Sequence, residues 1–77
     1  MQHDEIKQAV LAAIPNSEIE LAAEGNHLHI RIVSHAFAGL NAVKRQQLVY
    51  ASLNPFIESG EVHAVHMKTL TPEEEST

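Results

Sequence analysis

The sequence predicts one α+β domain over residues 1–77, with helices and strands in the order α-β-β-α-β and a short final helix. Two stretches carry apolar residues at three- and four-residue spacing, which is typical of helices that bury one face. Three other stretches alternate apolar and polar residues, as strands with one buried face do. With 77 residues, the chain is long enough for one small core.

The first predicted helix has Asp4 as its N-cap and ends at Pro15, because the residue before a proline disfavours the helical conformation. Its apolar stripe consists of Ile6, Ala9, Val10, Ala13 and Ile14.

The second predicted helix begins at Ala42 after the N-cap Asn41. Its stripe consists of Val43, Val49, Tyr50 and Leu53. Asn54-Pro55 predicts an interruption or a kink, after which Phe56 and Ile57 continue the pattern for about one turn. Ser59-Gly60 predicts its end.

The first two strands are predicted to form a hairpin joined by Glu24-Gly25-Asn26. Alternation places one set of side chains inward: Ile19, Leu21, Ala23, Leu28, Ile30 and Ile32. It places another set outward: His27, His29 and Arg31. The second strand should therefore cover the core with one face and meet water with the other.

The third strand is predicted within Val62–Pro72, where it runs into a helix start at Thr71-Pro72-Glu73-Glu74. Alternation predicts that His63, Val65 and Met67 point inward and that Val62, Ala64, His66 and Lys68 point outward. Because a helical crossover precedes it, we expect this strand to pair in parallel with the second strand. Both helices then cover one face of a three-stranded mixed sheet.

Composition excludes several classes of function. The chain has no cysteine, so it supplies no thiolate nucleophile or thiolate metal ligand. Its formal charge is −5, with only five lysines and arginines, which disfavours nucleic acid as a partner. The sequence shows neither a membrane span nor a signal peptide, so we expect a cytoplasmic protein. Catalytic motifs are missing, and an enzyme is not expected.

Six histidines are the main candidates for chemistry. Parallel pairing places His27 and His63 at one end of the sheet and His35 at the other. An imidazole binds iron or zinc well, but one strand-end histidine supplies only one ligand. The alternative for His63 is a half-buried histidine bonded to a backbone carbonyl. For His29 and His66, on the open face, the alternative is that they are simply solvated.

A short basic segment, Lys44-Arg45-Gln46-Gln47, begins the second helix. A helix N-terminus with cations can contact phosphate or an acidic partner. The alternative is a solvated helix face.

Three motifs together resemble the BolA family, and the resemblance covers nearly the whole chain. They are Phe37-x-Gly39, Val43-Lys44-Arg45-Gln46-Gln47-x-x-Tyr50-x-x-Leu53 and the segment from Val62 to Glu74, of which His63 to Pro72 is the most specific part. The Lys-Arg-Gln-Gln run and the short hairpin loop resemble the small bacterial acid-stress branch.

The resemblance implies a fold similar to class II KH domains and a monothiol CGFS-type glutaredoxin as partner. In such a pair a bridging 2Fe–2S cluster takes thiolates from the glutaredoxin and glutathione, and histidine from the BolA-like chain. The matching ligand is His63, and His27 is the candidate for a second. Partner contacts are expected at Phe37, Gly39, Lys44, Arg45, Met67, Lys68, Thr71 and Pro72. Alone, the chain is expected to be a monomer or a weak homodimer.

The alternative function is a KH-like regulator that binds nucleic acid through Lys44, Arg45 and Lys68. KH domains clamp the backbone with a GXXG loop. Here Gly39-Leu40-Asn41-Ala42 retains only the first glycine, and the net charge also disfavours this function.

Overall fold

The computed structural model describes residues 3–76. Its elements are α1 (His3–Ala13), β1 (Glu18–Glu24), β2 (His27–Val33), a 3-10 helix (His35–Phe37), α2 (Ala42–Glu58), β3 (Ala64–Leu70) and α3 (Pro72–Glu75). The predicted α+β class and the order of its elements are confirmed.

The sheet has the strand order β1-β2-β3, with β1 antiparallel and β3 parallel to the central strand. In the parallel pair Leu28 lies opposite Val65, and His27 lies opposite Ala64. The hairpin turn is only Gly25-Asn26, with Gly25 at φ 62, the position at which a tight turn of this kind favours glycine. The helical crossover therefore gives the parallel pairing that was predicted.

The core lies between the two long helices and one face of the sheet. Its buried residues come from α1 and the residue that follows it, β2, the 3-10 helix, α2 and the segment before β3. They are Ile6, Val10, Ile14, Leu28, Ile30, Ile32, Phe37, Val49, Leu53 and Val62. The opposite face of the sheet carries polar side chains and is exposed.

Both long helices depart from the prediction in detail. Helix α1 begins at His3, so Asp4 lies in its first turn instead of capping it. Helix α2 includes Pro55 and continues to Glu58. The partly buried Phe56 and Ile57 pack against the core just after this proline, and their burial offsets the loss of one backbone hydrogen bond.

The predicted stripe of α2 is too broad. Val49 and Leu53 are fully buried, but Val43 is 60% exposed and Tyr50 is 41% exposed. A helix that packs on one side only buries a narrower stripe than its apolar composition suggests.

The predicted alternation fails at the start of β3. Val62 was expected outward but is 1% exposed, whereas His63 was expected inward and is exposed. The strand itself begins only at Ala64. Before it, the Val62 N–H donates to the Phe56 carbonyl, 3.1 Å away, and this turn directs Val62 into the core.

The short helix α3 is held to the domain by two arginines. The Arg45 guanidinium contacts both carboxylate oxygens of Glu74, at 2.7 and 3.3 Å, and Arg31 donates to Glu75 at 2.7 Å. Thr71 and Glu74 also form a capping box, so each bonds the backbone N–H of the other. The predicted helix start is confirmed, and its four residues dock against β3 and α2.

Replacing Arg45 by alanine is expected to lower the free energy of unfolding by about 1–3 kcal/mol, because two partly buried carbonyls and the Glu74 carboxylate lose a charged donor. Arg45 also donates to the carbonyls of Leu40 and Thr69, and its side chain is only 14% exposed. Urea denaturation followed by far-UV circular dichroism measures the loss. The neighbouring Lys44→Ala, at an exposed position, should change stability by less than about 0.5 kcal/mol. Equal effects of the two substitutions would contradict this assignment.

The docking of α3 should weaken in acid. The Arg45 side chain, followed by the Thr71 N–H, holds the pKa of Glu74 below its ordinary value. A carboxyl whose pKa is lowered in the folded state contributes its full stabilisation at pH values above its ordinary pKa of about 4.3. This stabilisation is lost as the pH falls through the lowered pKa.

An NMR titration of the backbone amide of Thr71, which donates to Glu74 at 2.8 Å, should therefore show a transition below the ordinary carboxyl range. The variant Glu74→Gln should abolish that transition. A wild-type transition at or above the ordinary value would show that the carboxylate is not held in this way.

Candidate functional site

His63 lies at the end of the sheet where β3 begins, and its side chain is exposed. Asn26 in the hairpin turn contacts it twice. The backbone N–H of His63 donates to the Asn26 carbonyl at 2.9 Å, and the side-chain Nδ2 of Asn26 lies 2.9 Å from the ring Nδ1 of His63. The backbone bond fixes the position of the residue, and the side-chain bond orients the imidazole. His63 is thus not buried, and among residues 3–76 its ring is bonded to the Asn26 side chain and to no backbone carbonyl.

Gly60 leaves space next to the other ring nitrogen. A Cβ atom built at Gly60 would lie 3.9 Å from Nε2 of His63, in ordinary van der Waals contact. Gly60 has φ 84, which favours glycine, and it ends α2 by donating its N–H to the Ile57 carbonyl at 3.1 Å. The helix end therefore passes close to the imidazole without a side chain that covers Nε2.

Three histidines stack on the open face of the sheet, and we call them the histidine ladder: His27, His29 and His66. The rings of His29 and His66 lie 4.5 Å apart between centroids, with 13° between their planes. The rings of His27 and His66 lie 5.5 Å apart, and Nδ1 of His27 is 3.3 Å from Nε2 of His66. The parallel register causes this stacking, since His29 lies directly opposite His66.

A shallow groove of about 420 Å³ crosses the open face beside the ladder. Its walls include His29 and His66 on one side and Arg31 and Lys68 on the other. Glu20 also lines it and lies 3.4 Å from Arg31. The charges along the groove are therefore mixed, and the pKa of Arg31 is raised mainly by its hydrogen bond to Glu75.

The predicted partner contacts do not surround His63. Phe37 and Gly39 follow the C-terminal end of β2, and Thr71 and Pro72 follow the C-terminal end of β3. At seven residues each, the parallel strands separate these positions from His63 by roughly 20 Å. His27 does lie at the His63 end, as predicted, and His35 lies at the opposite end.

Three of the predicted partner residues have structural roles. Phe37 is fully buried, and Thr71 is 6% exposed and caps α3. Arg45 lies over the Phe37 ring, 5.8 Å from its centroid, and donates hydrogen bonds to Glu74 and to two backbone carbonyls. These side chains position their neighbours within the fold. Of the eight predicted partner residues, the exposed ones are Gly39, Lys44 and Lys68, and these offer the most surface to a partner. The half-buried Met67 packs against the core from β3, and Pro72 is also half-buried.

The cations proposed for nucleic acid do not form one surface. Lys44 lies on α2, which packs against one face of the sheet, whereas Lys68 lies on the open face. Arg45 is bonded to Glu74. A phosphate backbone needs several adjacent cations, and these three positions do not provide them.

Within residues 3–76 no three histidine, aspartate, glutamate or cysteine side chains are placed to hold a metal ion together. As an exposed imidazole, His63 can offer one nitrogen ligand. In the same part of the chain, no helix has the length and apolar composition needed to cross a membrane.

Sequence reasoning did not identify Asn26 as part of the site. The signal was available in the parallel register. Since His27 lies opposite Ala64, the residues that precede them, Asn26 and His63, are also neighbours. The periodicity of the sequence does not predict the bend at residues 61–63, which turns the His63 ring outward toward the hairpin.

An antiparallel hairpin, a helical crossover and a parallel third strand, with both long helices on one face, define a small α+β domain with the KH-like topology. The model of the BolA-like protein family matches residues 3–74. The chain belongs to the BolA family.

Bacterial relatives match almost the whole chain. An uncharacterised protein from the rpoN-murA intergenic region of Acinetobacter guillouiae is 40% identical over 74 residues, which cover 96% of this chain and 89% of that protein. The acid stress protein IbaG of Escherichia coli K12 is 34% identical over 74 residues, which cover 96% of this chain and 88% of that protein.

Solved structures show the same fold. A BolA homologue from Coxiella burnetii matches with a TM-score of 0.83 at 28% identity, covering 100% of this chain and 99% of that one. The BolA domain of SufE1 from Arabidopsis thaliana matches with a TM-score of 0.84 at 28% identity, covering 96% of this chain and 98% of that one.

The isolated protein is expected to bind duplex DNA weakly at physiological salt, because its separated cations release few counterions on binding. A fluorescence anisotropy titration at ~150 mM salt checks this, and a sub-micromolar affinity would contradict it. Repeating the titration at ~50 mM salt distinguishes residual electrostatic binding, which rises steeply at low salt, from binding that depends on base contacts.

Proposed function

We propose that this protein is a non-catalytic partner of a monothiol CGFS-type glutaredoxin in the cytoplasm and shares a bridging 2Fe–2S cluster with it through His63. The role would be cluster assembly or trafficking, or iron sensing. The observation that carries the proposal is an exposed imidazole at the end of the sheet, oriented by Asn26, with its Nε2 next to Gly60, which has no side chain.

The donor set supports a shared cluster and not one held by this chain alone. Iron–sulfur clusters are bound mainly by thiolates, with histidine replacing cysteine in some of them. This chain has no cysteine, so a partner and glutathione must supply the sulfur ligands. The protein's own contribution is to present one nitrogen at a fixed position.

The surroundings of His63 suit docking onto the end of the domain. The turn Gly25-Asn26 and the end of α2 at Ser59-Gly60 flank the imidazole with small or short side chains. Glu24, exposed next to the turn, and Glu61, exposed just after Gly60, add negative charge to these two segments. A partner surface with basic residues around its cluster ligands would be steered toward this end.

His27 stays the candidate for a second ligand. It lies opposite Ala64, one position along from His63, so it faces the same end of the sheet. Its Nδ1 is 3.3 Å from His66, and that contact would be lost if Nδ1 bound a metal. His66 and His29 continue the ladder away from His63 and are not expected to contribute ligands.

The variant His63→Ala should change the visible circular dichroism of a cluster formed with the glutaredoxin and shorten the lifetime of that cluster. The reason is that replacing a nitrogen ligand changes the electronic environment of the iron. The fold should be kept, because the exposed side chain makes no core contact. Co-expression with the organism's monothiol glutaredoxin, purification and visible spectroscopy measure these effects.

His29→Ala and His66→Ala are the matched controls, since both remove an exposed imidazole from the same domain. Both should give the wild-type spectrum and cluster lifetime. A wild-type result for His63→Ala together with a changed result for His27→Ala would show that His27 is the ligand. If the purified complex contains no cluster at all, the proposed function is wrong.

A further inference from the structure

We infer that Asn26 is a positioning residue for His63, whose side-chain amide decides which ring nitrogen carries the proton and therefore which one can bind a metal. The tautomer of His63 is a property of the isolated protein. The consequence for a metal ligand rests on the proposed function.

In the observed orientation of the Asn26 amide, the contact requires one tautomer of His63. Nδ2 of Asn26 lies 2.9 Å from Nδ1 of His63, and an amide NH2 group can only donate. Nδ1 must then accept, so the proton of the neutral ring is on Nε2. In this state the exposed nitrogen beside Gly60 has no lone pair to offer a metal.

Rotation of the amide by 180° gives the opposite state. The carbonyl oxygen Oδ1 then takes the place of Nδ2 and accepts a hydrogen bond from Nδ1–H. The ring proton moves from Nε2 to Nδ1 by exchange with water, so the ring stays neutral and Nε2 gains a free lone pair. In metal sites the second ring N–H of a ligating histidine is commonly held by such an acceptor.

The surroundings allow both states. Within residues 3–76, the only hydrogen bond found for the Asn26 amide is the one to His63, and the residue is exposed. The backbone bond from His63 to the Asn26 carbonyl, 2.9 Å long, does not depend on the amide orientation. Nε2 is protonated in the free protein while the amide keeps the observed orientation, and binding of a metal selects the rotated amide.

Aspartate at position 26 tests this assignment, because a carboxylate can only accept a hydrogen bond. Aspartate also suits a tight turn. Long-range proton–nitrogen NMR spectra of the isotopically labelled, isolated protein report the tautomer of His63 at about pH 9, well above the ordinary histidine pKa of about 6.5. Wild type should show the proton on Nε2, and Asn26→Asp should move it to Nδ1. Asn26→Ala should give a mixture.

Asn16→Asp is the matched control. It introduces the same charge in the turn before β1, at the opposite end of the sheet, where φ 60 is a conformation that aspartate tolerates. This variant should leave the tautomer of His63 unchanged. A proton on Nδ1 in wild type, or an unchanged tautomer in Asn26→Asp, would overturn the assignment. Backbone amide spectra show for each variant that the hairpin is kept.

The cluster-bound complex provides the second measurement. Loss of an outer-shell partner typically weakens metal binding about 10–100-fold, so Asn26→Ala should shorten the lifetime of the cluster shared with the glutaredoxin by about tenfold. Asn26→Asp should preserve or lengthen that lifetime. If the tautomer responds but wild type forms no cluster, the proposed function fails and the tautomer assignment stands. If the cluster depends on His63 but neither variant changes the tautomer or the lifetime, the role of Asn26 is wrong.

Discussion

The parallel pairing of β2 with β3 determines which residues can act together. Its register places Leu28 beside Val65 in the buried face and His29 beside His66 in the open face. A shift by one residue would exchange the two faces, burying imidazoles and exposing the apolar residues. The same register brings the start of β3 against the hairpin turn, so His63 and Asn26 meet although they are 37 residues apart in the chain.

Arg45 is a cation whose hydrogen bonds are made within the fold. It lies in the first turn of α2, covers the ring of Phe37 and reaches Glu74, so it holds α3, which has no buried residue of its own, to the rest of the domain. Guanidinium suits this role because its planar donors bond two carbonyls and a carboxylate at once. Arg31 is likewise paired with Glu75. Two of the five basic residues of this chain are therefore paired within the domain and contribute less positive charge to its surface.

Periodicity predicted the element order, the hairpin, the parallel strand and the buried face of β2, because each depends on local pattern and on connection rules. It could not predict the bend before β3, where a hydrogen bond ties Val62 back to Phe56 in the last turns of α2. Val62 and His63 were therefore assigned to the wrong faces. The family motif likewise did not indicate that two of the predicted partner residues, Phe37 and Thr71, are buried near the end of the sheet opposite His63. The position of His63 at this end of the sheet was predictable, whereas its contact with Asn26 required the register.

A protein that contributes one ligand to a shared site meets different requirements from one that holds a metal alone. It needs no cavity, since the partner covers the site, but it needs a fixed imidazole, because each freely rotating side chain must be ordered on binding. The backbone bond from His63 to Asn26 and the contact between their side chains provide that order in advance. If His63 has the proposed role and tautomer, the proton on Nε2 makes the free imidazole a poor ligand for stray metal ions. Selectivity would then arise because only a partner that supplies several further ligands at once drives the exchange of tautomers.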